Sequence, residues 1–270
     1  MIWDCFMFND ELNLLEIRLH HHSFVDRFVL IESTRTYSGL QKPLHYQLNR
    51  ARFSEFADRI YHIALDFPFH GNGAWAYEHL QRNVLRGFTF GLYDVVIYAD
   101  CDEIVRGPEV IHSFMASGKD IISLQMELGF YYLNVRVKQA HAPGATYHIA
   151  PCFKSKWHMG KILRASLIPA YNYLYEIREH QLHHNPPDLI PNAGWHFSNL
   201  GSPERIFGKL KAISHCDDPE FHDLSVDKIS ERKQALTDPL GRDGVVYETF
   251  MDLPDYVLQN QTKFHDYFLS

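Results

Sequence analysis

Little in this sequence points to a membrane, to nucleic acid or to a cysteine framework. Its 270 residues contain no apolar stretch long enough to span a bilayer. The N-terminal segment from Met1 to Leu19 carries acidic residues where a signal peptide needs a basic start and an apolar run. The chain as given is therefore expected to be soluble and cytoplasmic, with no transmembrane segment. Four cysteines (Cys5, Cys101, Cys152 and Cys216) are widely scattered, with no Cys-x-x-Cys pair for zinc and no disulfide density. Lys and Arg number 26 against 33 Asp and Glu, a net charge of -7, and no long basic block exists. That balance argues against nucleic acid as a partner, because such binding rests on neutralising phosphates. There is no internal repeat and no low-complexity segment.

What is present is ordinary globular composition, 46% hydrophobic and 22% charged, sufficient for one large domain or two small ones. Leu12, Leu15, Ile17 and Leu19 follow a start signal at Asn9 or Asp10 and predict an early helix. The triplet His20-His21-His22 then falls at its exposed end. Phe28 to Ile31 reads as a buried strand running into Glu32-Ser33-Thr34, and Ile60 to Leu65 as another. Trp75 to Phe90 has a helical pattern, Asp94 to Ala99 is the clearest strand, Pro108 to Met115 a helix, and Asp120 to Leu124 a strand. Tyr171 to Glu179 and Pro203 to Ile213 look helical, the latter with Ser202 as N-cap and Pro203 at N1. Alternating strands and helices predict an α/β fold with a Rossmann-like, mostly parallel central sheet and helices on both faces. Ligands of such sheets sit at the carboxyl ends of the strands, the rim that receives Glu32-Ser33-Thr34 and Asp100-Cys101-Asp102-Glu103.

The acidic segment is the most informative. A buried strand delivers Asp100 and Asp102 two positions apart, and on extended backbone that spacing turns both carboxylates to one side. Two hard oxygen ligands suit Mg²⁺ or Mn²⁺ with positions left for diphosphate oxygens. Aspartates also end strands as turn formers. Phosphatases of the haloacid-dehalogenase type place the same pair after a strand, but near the chain start and followed by Gly-Thr; here Glu103-Ile104-Val105 follows. His180, His183 and His184 have the spacing of a helical zinc site, yet Asn185-Pro186 ends any helix at once.

Several blocks, in order, resemble glycosyltransferase family 17. They are Asn9 to Leu12 with Leu14 to Leu19, Val25 to Thr34 followed by Ser38-Gly39 and Lys42-Pro43-Leu44, Gln81-Arg82-Asn83, and Ala99 to Ile104. Phe130 to Asn134, Ala193 to Ser198 and Lys209 to His215 continue the series, so the resemblance covers nearly the whole chain. It implies a GT-A type fold in a single domain, with residues 1-125 as the nucleotide-sugar-binding half and 126-270 as the acceptor-binding half. It also implies a UDP-sugar donor (UDP-GlcNAc in the best-known members), a divalent metal, a carbohydrate acceptor and inversion at the anomeric carbon. Golgi members carry an N-terminal anchor and stem, which are not expected for this chain, so the glycoprotein acceptor is not carried over. A bacterial or viral origin is expected on that ground. Members often read Asp-Ala-Asp-Glu-Ile-Pro where this chain has Cys101 and Val105; the metal-facing positions are kept.

On this resemblance Asp102 coordinates the metal and Asp100 contacts metal or donor ribose, with His196 or His215 as a further metal ligand from the second half. Glu32, Ser33 and Thr34 are candidates for the nucleoside pocket, or else cap a strand end. Arg82 pairs with the diphosphate or is a solvated helix-face cation. Trp195 stacks on a sugar or packs in the core. The base that an inverting transfer needs is sought at Glu127, or at Asp217 or Asp218. The reading is thus an inverting, metal-dependent glycosyltransferase. A non-catalytic nucleotide-sugar-binding module and a metal-dependent phosphoryl hydrolase are the alternatives.

Overall fold

The computed structural model describes residues 1–68, 73–140, 152–153, 156–180, 188–217, 221, 223–242 and 244–270. His183, His184, Asn185, Pro186 and Asp218 lie outside them, as does the side chain of Asp217. In chain order the elements begin β1 (Ile2–Phe8), α1 (Leu12–His21), β2 (Arg27–Ser33), α2 (His45–Leu48), β3 (Ile60–Leu65), α3 (Ala74–Asn83), β4 (Val95–Tyr98) and β5 (Glu103–Val105). There follow α4 (Pro108–Ser117), β6 (Ile121–Tyr131), β7 (Val135–Ala140), β8 (Cys152–Phe153), β9 (Lys156–Trp157), β10 (Lys161–Arg164) and α5 (Tyr175–Glu179). The last are β11 (Leu189–Leu200), α6 (Pro203–Ala212), α7 (Val226–Gln234), β12 (Val245–Thr249) and α8 (Asp255–Gln259).

The expected α/β architecture is observed. The strands run β12-β7-β6-β10-β4-β1-β2-β3 across the sheet, with β11 beside β6 and β5. Parallel pairing is concentrated in the first half, where β3, β2, β1 and β4 all run one way. From β10 onward the pairing is mixed: β10 is antiparallel to both its neighbours and β11 is parallel to β6. A strand inside residues 1–8 is absent from the sequence reading, yet β1 is the centre of the parallel half. Its residues are almost all apolar because both faces are covered, so it shows no alternation to read. Phe6 and Phe8 join Leu15 and Leu19 of α1 and Phe114 of α4 in one core, while Cys5 and Met7 face Leu85, Leu174 and Ile177 in another. Helical segments thus cover both faces.

β1 has β2 on one side and β4 on the other, so the chain order reverses at its carboxyl end. Ligands of open α/β sheets bind at such a reversal. Beneath it, Arg18 of α1 is fully buried and its fork is taken by Asp4 at 2.6 and 2.8 Å. Its Nη1 also donates to the carbonyls of Asp100 and Glu103, both at 2.7 Å, and of Cys101 at 3.3 Å. His22 is not exposed at the helix end but fully buried, 2.7 Å from Asp4 through Nδ1, with its Nε2 2.9 Å from the Val105 nitrogen and 3.1 Å from the Val105 carbonyl oxygen. Burial pulls this histidine's pKa down, against the Asp4 carboxylate beside it.

Two buried or half-buried carboxyls make the fold sensitive to acid. Burial alone would raise them. Arg18 and His22 nonetheless hold Asp4 down at about 2 from 3.8, and Lys263, Arg52 and Tyr256 hold Glu16 at about 2 from 4.5. The unfolded chain therefore takes up these protons first. The stabilisation is complete above pH 4.5 and is lost as pH falls towards 2. The melting temperature, followed from pH 6 down to 2 by circular dichroism, should fall across that window, and Glu16→Gln should flatten the slope.

Candidate active site

Beyond the carboxyl ends of β1 and β4 opens a cavity of about 400 Å³. Its wall takes Met7 to Asn9 and Glu11 from the end of β1, Arg35 to Tyr37 from beyond β2, and Asp100 to Asp102 from beyond β4. Trp75, Glu78, Gln81 and Arg82 come from α3, His196, Ser198 and Asn199 from β11, and Lys209 from α6.

Asp100 to Asp102 form a turn rather than extended strand, closed by the Glu103 N–H donating to the Asp100 carbonyl at 2.9 Å. The alternation argument therefore does not apply to the two aspartates. Both reach the cavity, but with different partners. Asp100 has an oxygen on Arg82 and the other on Arg178, each at 2.9 Å. Asp102 lies 2.6 Å from Lys209 Nζ and 3.5 Å from His196 Nε2. Against the cost of burial, these cations hold Asp102 far below the usual carboxylate range and lower Asp100 as well. Glu103 is fully buried behind the turn, where it accepts both Arg178 nitrogens, at 2.6 and 2.9 Å, and Trp157 Nε1 at 2.5 Å.

β11 brings His196 to Asp102 by backbone pairing with β5, with Gly194 opposite Val105, Trp195 opposite Ile104 and His196 opposite Glu103. The Phe197 N–H donates to the Asp102 carbonyl at 2.8 Å. Glycine is needed at 194, since a Cβ there would stand 2.0 Å from the Ile104 carbonyl oxygen. Strand alternation then sends His196 and Ser198 to the cavity, and Trp195 and Phe197 into the core. Trp195 is accordingly no sugar platform: it is 2% exposed and its indole N–H donates to the Asp252 carbonyl at 2.6 Å.

Glu32, Ser33 and Thr34 stop short of the cavity. Glu32 is fully buried and accepts the Tyr46 N–H at 3.0 Å and meets His62 at 3.1 Å; Ser33 takes the Arg35 N–H and Thr34 donates to Asp66. The strand continues through Ser33, so the next residues, Arg35, Thr36 and Tyr37, are the ones that face inward. Glu127 also lies off the cavity. Leu128 and Phe130 of β6 line it, which turns Glu127 to the opposite face, against Lys156 and, at 3.3 Å, Arg136. The backbone of Asp217 follows Ser214 and His215, which line the cavity. His215 itself stands against Trp75, ring centroids 4.5 Å apart.

Six basic side chains (Arg35, Lys42, Arg82, Arg178, Lys209, Arg242) face four acidic ones (Glu11, Glu78, Asp100, Asp102) in the wall, which favours an anionic ligand. Three buried wall nitrogens have no hydrogen-bond partner among the described residues: Arg82 Nη1, Arg35 Nε and His196 Nδ1. Buried donors left open in a cavity mark where a ligand supplies the acceptor. Arg178, Lys209 and Arg35 were not singled out from the sequence. The signal available was the acidic segment itself, since buried carboxylates require cations.

The divalent ion implied by the resemblance fits part of the expected ligand set. Among the described residues no three His, Cys, Asp or Glu side chains are grouped to hold one. Asp100 is ion-paired with both arginines, yet its Oδ1 accepts no hydrogen bond among the described residues. Asp102 Oδ1 and His196 Nε2 are close enough to share an ion, which suits a cation that takes its remaining ligands from diphosphate and water.

The sequence profile described as glycosyltransferase family 17 matches residues 1–150. The human protein named Beta-1,4-mannosyl-glycoprotein 4-beta-N-acetylglucosaminyltransferase is 26% identical, over 95% of this chain and 53% of its own length. The chain thus spans about half of that relative. Among solved structures, residues 1–349 of S. aureus TarS superpose with a TM-score of 0.43 at 11% identity, covering 88% of this chain and 70% of that one. A 4-diphosphocytidyl-2C-methyl-D-erythritol synthase from Anaerococcus prevotii gives 0.39 at 10% identity, over 72% and 86%. No helix among the described residues is long and apolar enough to cross a membrane. With the profile matching more than half of its residues, the chain belongs to glycosyltransferase family 17.

Proposed function

We propose that the protein transfers N-acetylglucosamine from UDP-GlcNAc to a carbohydrate hydroxyl, with inversion and with a divalent cation. The observation that carries the reading is the acidic turn Asp100–Glu103, set among cations at the carboxyl end of β4 and opening on a net-positive cavity. The donor sugar follows the name of the human relative, an N-acetylglucosaminyltransferase.

In this reading residues 1-125 supply the nucleotide side of a single GT-A type domain, and residues 126-270 supply much of the acceptor side. Arg35, Thr36 and Tyr37, one step beyond the expected Glu32-Ser33-Thr34, surround the nucleoside. Asp102 and His196 would hold Mn²⁺ or Mg²⁺. When bound, such an ion neutralises charge developing on the departing nucleoside diphosphate. Arg82 donates its open Nη1 to a phosphate oxygen, and Lys209 sets its ammonium beside the same oxygens. Asp100 keeps Arg82 and Arg178 in place and leaves its open Oδ1 for the donor or the ion. The acceptor hydroxyl loses its proton to a carboxylate from the side of Glu78, which lines the cavity, or Asp217, which follows Ser214 and His215.

The direct test is release of UDP from UDP-GlcNAc, UDP-Gal and UDP-Glc, in Mn²⁺ and in chelator, with a panel of oligosaccharide acceptors. UDP-GlcNAc with Mn²⁺ should give the fastest release. No release from any of the three in either condition would overturn the reading. A narrower test concerns Arg82. Arg82→Lys keeps the charge between Glu78 and Asp100 but loses the planar fork. UDP binding, measured by calorimetry, should weaken about 10-fold, the loss of one charge-assisted hydrogen bond.

A further inference from the structure

Six aromatic rings run in an unbroken series from the cavity wall outward. They are Phe221, His215, Trp75, His79, Tyr175 and Tyr173, with successive centroids 6.3, 4.5, 6.1, 4.0 and 5.8 Å apart. Phe221, His215 and Trp75 line the cavity, and at the far end Tyr173 is 51% exposed. Trp75 is 43% exposed although it belongs to the cavity wall. Indole rings tend to be covered in folded proteins, so a half-bare one at a cavity mouth needs a reason.

α3 ties this series to the donor end. Trp75, Glu78 and Arg82 are spaced i, i+3 and i+7, share one helix face and all line the cavity. The helical rise separates Trp75 from Arg82 by about 10 Å along the axis. Arg82 stands at the acidic turn with its open nitrogen, so the diphosphate end and the aromatic end of this face are distinct places.

We infer that the ring series is an acceptor subsite, holding sugar units of an oligosaccharide beyond the one that receives the transferred sugar. The inference rests on the glycosyltransferase reading above. The chemistry matches on both counts. A pyranose presents an apolar C–H face to an indole or phenol ring, and its hydroxyls can exchange hydrogen bonds with imidazole nitrogens and tyrosine hydroxyls. Trp75 and Tyr173 offer such faces, and the rings between them connect the two. Trp75 and Tyr173 then set how many sugar units the enzyme needs in its acceptor.

The test is a glycan array probed with labelled wild-type protein, Trp75→Ala, Trp75→Phe and Tyr173→Ala, with UDP binding in Mn²⁺ measured on the same preparations. Wild type should retain glycans of two or more sugars. Each alanine variant should weaken that retention about 3- to 10-fold, with Trp75→Phe close to wild type and UDP binding kept in all four. The inference fails if the wild type retains no oligosaccharide, or if Trp75→Ala and Tyr173→Ala retain the same glycans as strongly. Should Trp75→Ala also lose UDP binding, Tyr173→Ala at the exposed end decides. Failure of wild type to bind UDP would count against the donor site instead, and the array would still decide the ridge.

Discussion

Replacing Arg18 with methionine should lower stability by about 3–5 kcal/mol, because it leaves Asp4 as an uncompensated buried charge. In a chain of this size that is a fall of about 10 °C in melting temperature. The cause lies under the acidic turn. Asp4 and Arg18 are both fully buried and paired, and burial is tolerated only because each answers the other. The same guanidinium donates to the carbonyls of Asp100, Cys101 and Glu103, so it also shapes the turn. These two roles separate experimentally. The double variant Asp4→Leu/Arg18→Met removes both charges and should recover much of the lost stability. Turnover should stay low, since the turn's carbonyls have lost their donor. Thermal melts on the single and double variants, beside an assay of UDP release, check both statements. A double variant that regained full turnover would show that the turn holds its shape without Arg18.

The second large effect is at Asp102. Asp102→Asn keeps the shape but removes the charge that faces Lys209 and His196. UDP release should fall at least about 1000-fold, reflecting several kcal/mol of charge stabilisation in the transition state. The fold should survive, because Lys209 retains Glu11 at 3.5 Å and the turn's backbone bonds do not use this side chain. Asp100→Asn should behave differently. Its two arginines would be left facing each other with only Glu78 and Glu103 as counter-charges, so it should cost stability as well as activity.

How much of this was legible in the sequence follows from the range of each interaction. The strand Ile60 to Leu65 and the Ser202-capped helix at Pro203 are set by neighbours a few residues away, and both were read correctly. The acidic turn was found because a buried strand ending in several acids is a local pattern. Its geometry was not, because a turn, unlike a strand, does not alternate. Trp195 and His196 show how a single step along β11 reverses the face: the motif was located, but the pairing with β5 decides which residue enters the cavity. Glu127 lies off the cavity for the same reason on β6. The cations escaped because their partners are remote in sequence: Lys209 reaches Asp102 across 107 positions and Arg178 reaches Glu103 across 75. No local periodicity encodes such pairs. Trp75 was seen only as part of a helix, since its exposure depends on what surrounds it.

Everything proposed for this site depends on the cavity beside Asp102 binding the nucleotide end of the donor with a divalent cation. Calorimetric titration of UDP into wild type and Asp102→Asn, each in Mn²⁺ and then in chelator, tests it most directly. Wild type should bind saturably in Mn²⁺ and much more weakly in chelator, and Asp102→Asn should gain nothing from Mn²⁺. Equal binding by both proteins, indifferent to chelator, would contradict it.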